Sequence, residues 1–389
     1  MTDIAHQDQG GGVAALRRGL RQAGPALEAD NDLAATLALV LAGLAAREHA
    51  QGGTLYLLRD GQLHLAAVQH VGRDLAAVSR ELLSQRLSPG AGSLEKFVGR
   101  TGRTMAVSLG ADSSIGGPLP VDRDYDAAVG EQTESALAVR LEVPGGRAVG
   151  VLKLVNRLSP SGKVLPFAPR GHDELALLAS IGAVAIDKSL AYDEMRWKHM
   201  ETILRLSAAA ELRDGDMMPH VRRISGLSAL IAKSLGLPAA EAEQVRYASP
   251  MHDIGKTRMP DSVLGKTGPL SEDDARILRR HTLVGAQLLD GLPGDVMSAA
   301  HDVALSHHER WDGEGYPHGR RKEEAPLCGR IVALADAFDA MVTRRPYRQP
   351  YSFDMALETV RTEREKHFDP EVARAFLLAE DRIDEIYRT

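Results

Sequence analysis

The stretch from His252 to Pro317 sets the tightest limit on how this chain folds, because it carries titratable side chains that an apolar core does not accept unpaired. It opens with His252-Asp253-Ile254-Gly255-Lys256, passes His281, reaches His307-His308-Glu309 and ends in Gly315-Tyr316-Pro317. His220 precedes it and Asp336 follows it. Each of the seven residues His220, His252, Asp253, His281, His307, His308 and Asp336 falls near a helix end or on an apolar face. Neutral imidazoles and carboxylates are the usual ligands of first-row metals. Buried together without a metal, they would leave several polar groups unsatisfied. The sequence therefore predicts a multi-metal hydrolytic site built from several helices. The adjacent Asp253 is suited to bridging, since each of its two oxygens can serve a different ion.

The segments around these residues read as helices throughout. Apolar spacing predicts helices over 220–235, 239–247, 271–289, 296–308, 330–341, 353–361 and 369–378, with His252 and Asp253 on a short helix. Ser271 and Asp274 form a capping-box-like start. No strand pattern occurs after residue 213, so this half is expected to be an all-α bundle.

The first half is different. Residues 1–24 read as a flexible tail, and 33–46 as a buried helix. Strands are expected over 54–58 and 62–69 around an Arg59-Asp60-Gly61 turn. A helix capped by Ser93 should run to Val98 and end at Gly99. A strand over 104–108, a long loop over 112–132 and a hairpin of 135–143 with 147–156 follow, and then a helix from about residue 171. This is an α+β layout with an antiparallel sheet.

From His172 to Arg213 there is no proline. Leu175, Leu178, Ile181, Ala185, Leu190, Met195, Ile203 and Leu206 form a loose helical stripe. One continuous helix joining the halves and pairing with its twin in a homodimer is one reading. Two helices with a bend at Tyr192-Asp193 is the other.

Composition narrows the function. The net charge of -6 argues against bulk nucleic-acid binding. An anionic substrate would need local positive charge from metal ions or placed arginines. The single cysteine, Cys328, excludes an intrachain disulfide and a Cys-based zinc site and suits a reducing compartment. The apolar run 33–46 is too short to span a bilayer, and 1–12 has no apolar signal core. A soluble, cytoplasmic protein with no membrane partner is expected.

Two resemblances add to this reading. Residues 25–190 resemble a GAF domain, most clearly at Asn156-Arg157, Phe167 and Asp173-Glu174. The resemblance implies a sensory module in which Arg157 braces Asp173, with a small-molecule or nucleotide ligand as a second option. Residues 206–389 resemble the HD-GYP family of bacterial phosphodiesterases. The shared motifs are H-D-I-G-K at 252–256, H-H-E-R-W-D-G-E-G-Y-P at 307–317, A-D-A-F-D-A at 335–340, R-P-Y-R at 345–348 and H-F-D-P at 367–370. The implied domains are a tail (1–24), a GAF-like domain (25–186), a connecting helix (187–205) and a phosphodiesterase domain (206–389).

This second resemblance implies hydrolysis of cyclic di-GMP to a linear dinucleotide, and in some members on to GMP, with iron or manganese as the metal. It implies that the seven residues above hold two divalent ions, which lower the pKa of a water and clamp the attacking and leaving oxygens. A third ion stays open, because Asp216 stands where some members carry Glu. Lys256 lies one helical turn after Asp253 and would stabilise charge at the phosphorus, pair with a carboxylate such as Asp339, or do both. Gly315, Tyr316 and Pro317 shape a loop beside the substrate, and Arg345 and Arg348 would grip it. Glu309 is expected behind the ligands rather than among them. A silent cyclic di-GMP receptor and a phosphodiesterase for another cyclic dinucleotide are the competing readings.

Overall fold

A computed structural model describes residues 32–71, 93–108, 124–168, 172–210, 217–266, 268–344 and 349–388. The chain divides into two units, Met1–Arg196 and Trp197–Thr389.

The first unit is built on an antiparallel sheet. Its elements are α1 (Leu33–Arg47), β1 (Ala50–Arg59), β2 (Gln62–His70), α2 (Leu94–Thr101), β3 (Met105–Ser108), α3 (Asp124–Val129), β4 (Ser135–Glu142), β5 (Ala148–Leu158) and β6 (Val164–Leu165). The strand order is β2-β1-β5-β4-β3, with β6 on β5. Strand side chains alternate between faces. Leu55 and Leu57 join the core with Leu37, Leu41 and Leu44 of α1, whereas Tyr56 joins Leu94 and Val98 of α2 on the other side. Asp32 caps α1 by accepting from the N–H groups of Ala34 and Ala35.

Three expectations need correction here. Helix α2 runs past Gly99 and stops at Gly102, whose φ of 72° is the left-handed cap. The expected 112–132 loop holds α3 in its described part, where Asp126 accepts from the backbone N–H and the hydroxyl of Thr133. Arg157 forms no ion pair with Asp173 among the described residues. Glu174 pairs instead with Arg47 at 2.6 Å. The brace at this corner is Asn156, which accepts from the N–H groups of Glu134 and Ser135 and donates to Gln51 and the Gln132 carbonyl.

Helix α4 (Asp173–Ala210) is one helix of 38 residues with no break at Tyr192-Asp193. It is long and apolar enough to cross a bilayer, yet Leu175, Ala179, Ala183 and Ile186 are buried in the first unit's core. The stripe read from sequence is two stripes. Leu175, Leu178 and Ala185 point inward, whereas Met195 and Leu206 are exposed, together with Leu177 and Val184.

The second unit is helical: α5 (Met218–Ser234), α6 (Ala239–Ala248), α7 (Asp261–Leu264), α8 (Glu272–Arg279), α9 (His281–Leu289), α10 (Asp295–Ser306), α11 (Leu327–Val342), α12 (Phe353–Thr362), α13 (Pro370–Leu378) and α14 (Glu380–Arg388). Its core joins Ile224, Leu227, Val303, Ile331, Leu334, Phe338 and Phe376. The helix expected over 271–289 is two helices. At their junction Thr282 Oγ1 donates to the Arg279 carbonyl and His281 Nδ1 lies 2.7 Å from the Leu278 carbonyl, so side chains take acceptors from the helical ladder. His252 and Asp253 lie in a turn between the 3₁₀ segments Ser249–Met251 and Ile254–Arg258, not on a helix. Helix α14 was not expected, because only Ile383 of its nine residues is buried.

In the first unit, Lys153 and Glu95 form an ion pair at 2.7 Å with both side chains fully buried. Removing one member of such a pair leaves a charge in the interior and costs about 3–5 kcal/mol. Lys153→Met should therefore lower the stability of the full chain to urea by that order, and Lys153→Met with Glu95→Leu should recover most of the loss. A double variant as unstable as the single one would contradict this.

Candidate metal centre

The site is assembled by hydrogen bonds that fix the protonation of its imidazoles. His252 Nδ1 lies 3.0 Å from the Ser249 carbonyl, His281 Nδ1 2.7 Å from that of Leu278, and His307 Nδ1 3.0 Å from that of Val303. A carbonyl only accepts, so each Nδ1 carries the proton and each Nε2 presents a lone pair. These lone pairs converge. His281 Nε2 and His307 Nε2 stand 3.4 Å apart with no proton to share. Facing lone pairs repel unless a cation lies between them, and imidazoles held by a second contact at the other nitrogen are the arrangement metal sites use.

Asp253 sits between two groups. Its Oδ1 is 3.1 Å from His281 Nε2 and 3.7 Å from His307 Nε2. Its Oδ2 is 3.4 Å from His252 Nε2 and 2.5 Å from Lys256 Nζ. Oδ1 is buried without a well-aligned hydrogen bond. Two clusters with metal-ligand spacing result: Asp253, His281, His307 and His308, and His220, His252 and Asp336. The donor set, the converging lone pairs and the buried carboxylate oxygen fit divalent cations.

The electrostatics agree with neutral imidazoles. Burial, then the neighbouring His308 and His252, holds His307 well below its ordinary pKa. Burial pushes His308 down to about 3. Burial opposes the charge of Asp253, but Lys256, His252 and His281 outweigh it and hold the carboxyl well below the usual range.

Close packing keeps these elements in place. A Cβ on Gly255 would meet the His281 carbonyl oxygen at 1.9 Å and the Gly285 nitrogen at 2.5 Å, so the H-D-I-G-K turn lies directly on α9. Gly315 is pressed in the same way on the His308 carbonyl and the Arg310 nitrogen. Tyr316 stacks on His308 with ring centroids 4.6 Å apart, and the Tyr316-Pro317 bond is cis. Glu309 follows His308 directly. It is buried and accepts from the backbone N–H groups of His318 and Arg320.

One expectation changes. The partner of Lys256 is Asp253, not Asp339. Asp339 instead accepts at 2.7 Å from His220 Nδ1, at 2.5 Å from Arg223 Nε and at 2.9 Å from the Tyr387 hydroxyl. This leaves His220 Nε2 facing Asp336 Oδ1 at 3.8 Å. Sequence reasoning missed the role of Asp339, Arg223 and Tyr387. The signal available for Asp339 was its place one helical turn after Asp336. Asp216, Arg345 and Arg348 lie outside the described residues.

The protein-family description "HD domain" matches residues 205–372, which hold both clusters. The match falls within the second unit. This HD domain is similar to a cyclic di-GMP phosphodiesterase of Thermotoga maritima, 38% identical over 197 residues, covering 51% of this chain and 53% of the relative. It is similar to the cyclic di-GMP phosphodiesterase response regulator RpfG of Xanthomonas campestris, 38% identical over 206 residues, covering 52% and 54%. A 3'3'-cGAMP-specific phosphodiesterase 2 of Vibrio cholerae is 34% identical over 184 residues, covering 47% and 35%. The chain thus spans about half the length of the first two relatives. The HD domain implies divalent metal binding. Ahead of it in the sequence, the first unit has an antiparallel sheet with flanking helices.

Asp339 orients His220, so its charge should tune the affinity of His220 Nε2 for a divalent cation. Asp339→Asn should weaken metal binding about 10–100-fold while the helical circular dichroism is retained. An unchanged metal titration would contradict this role.

Proposed function

We propose that this protein is a metal-dependent phosphodiesterase that hydrolyses cyclic di-GMP to linear pGpG, with GMP as a further product, under control of its GAF-type domain. The observation that carries the reading is the convergence of imidazole lone pairs on the two oxygens of Asp253. The relatives named above support the substrate class. A phosphodiesterase for another cyclic dinucleotide is the second reading, favoured by the Vibrio cholerae relative. A silent receptor is disfavoured, since it would not need a complete set of metal ligands.

In this account His220, His252 and Asp336 would hold one ion and His281, His307 and His308 the other, with Asp253 placed to contribute to both. Iron or manganese is proposed, and a third ion would require Asp216. The chemistry supplied by the bound ions is polarisation of the phosphodiester and a lowered pKa for water. Asp253, kept ionised by Lys256 and the imidazoles, holds the shared position. Lys256 stands 2.5 Å from that carboxylate, close enough to turn toward phosphoryl oxygens as negative charge grows there. Gly315, Tyr316 and Pro317 wall the site, and Arg345 and Arg348 are assigned to the substrate from the sequence motif alone.

The proposed organisation is a tail (1–24), a GAF-type sensory domain (25–186) with a small-molecule or nucleotide ligand, a connecting helix (187–205) and the phosphodiesterase domain (206–389). A homodimer is proposed through α4. Its exposed Leu177, Val184, Met195 and Leu206 fall on one side of the helix and support pairing with a second copy. The single cysteine supports a cytoplasmic location.

His252→Ala and Asp253→Ala should each lower bound metal and abolish hydrolysis while the domain stays folded. Product chromatography after incubation with several cyclic dinucleotides and Mn²⁺ or Fe²⁺ checks this. Hydrolysis at the wild-type rate by a metal-depleted variant would overturn it.

A further inference from the structure

Arg279 is the last residue of α8, two positions before the cluster residue His281. Its backbone is anchored. The Arg279 carbonyl accepts from Thr282 Oγ1, and the neighbouring Leu278 carbonyl accepts from His281 Nδ1. Its head is placed as well. The guanidinium carbon lies over the Tyr316 ring, 5.3 Å from the centroid. That ring is stacked on the His308 imidazole. A column therefore runs from a cluster residue, through an aromatic ring, to an exposed cation at the rim.

The charges around the site single out this arginine. Lys256 is paired with Asp253, and Arg223 with Asp339. Among the described residues, no carboxylate pairs with Arg279. An exposed arginine without a partner is ordinarily mobile. Here the ring beneath it holds the flat guanidinium in one place, with its donor edge free for a planar or tetrahedral anion. Cations held this close to a metal centre without a counter-charge serve anionic ligands.

We propose that Arg279 is a specificity-determining residue that binds the second, non-reacting phosphodiester of a cyclic dinucleotide while the first lies at the metal cluster. The inference rests on the functional reading above and refines it. A cyclic dinucleotide carries two phosphodiesters, each with one negative charge. Only one of them can occupy the cluster at a time. A simple diester has no second anion, so Arg279 would separate cyclic dinucleotides from simple diesters by charge rather than by base.

The test uses the full-length, metal-loaded protein and two substrates, cyclic di-GMP and bis(p-nitrophenyl) phosphate, which carries a single negative charge. Arg279→Ala should raise KM for cyclic di-GMP about 10–100-fold. That rise should be at least tenfold larger than any change in KM for bis(p-nitrophenyl) phosphate, with kcat for cyclic di-GMP changed far less than KM. Arg279→Lys keeps the charge and should recover part of the loss. Equal losses on both substrates would mean that Arg279 only supports Tyr316 and the loop, and would overturn the proposal. So would a KM for cyclic di-GMP within twofold of wild type. A wild-type protein that cleaves bis(p-nitrophenyl) phosphate but no cyclic dinucleotide would instead overturn the substrate reading itself.

Discussion

The structure depends on where three protons sit. His252, His281 and His307 each commit Nδ1–H to a backbone carbonyl within four residues of their own position. That local bond fixes the tautomer and turns Nε2 toward Asp253. Inside a protein, two imidazole lone pairs 3.4 Å apart and a buried carboxylate oxygen are costly. The cost is removed when cations occupy the space they face. The turn at His252, the start of α9 and the end of α10 meet at this point.

The surrounding motif residues hold those three elements in register. Gly255 lets the turn approach the backbone of α9, and Gly315 lets the loop fold back on His308. Glu309 ties two backbone N–H groups of the same loop. Trp311 and Asp312 donate backbone N–H bonds to the carbonyls of His367 and Lys366, and Asp369 pairs with Arg330 while capping α13. The motifs at 307–317 and 367–370 are thus one braced loop system, and much of their sequence serves the positions of His307 and His308. Asp339 does the same for His220 from α11, with Arg223 and Tyr387 sharing its charge.

Much of this was legible in the sequence, for physical reasons that differ from residue to residue. Histidines and aspartates on apolar helical faces are rare enough to be read directly, and the positions drawn from that pattern are the ones brought together. Helices with a clear apolar face, such as α5 and α11, were found to within a few residues. Less legible was what depends on contacts far apart in the chain. The break at Arg280 comes from side chains capturing carbonyls, which apolar spacing does not register. Helix α14 buries only Ile383, so its periodicity is weak, yet it carries Tyr387 to Asp339. The stripe on α4 merged an inward face with an outward one, because spacing alone does not say which apolar residues meet a core. Arg157 looked suited to Asp173 by charge, but Asn156 makes the bonds at that corner.

The central claim is that these side chains form a divalent metal centre shared by Asp253. Anomalous X-ray scattering at the manganese or iron edge, from crystals of the metal-loaded protein, tests it most directly. The account predicts two peaks on either side of the Asp253 carboxylate, one among His220, His252 and Asp336 and the other among His281, His307 and His308. Metal bound elsewhere, or no anomalous peak within this cluster, would contradict it.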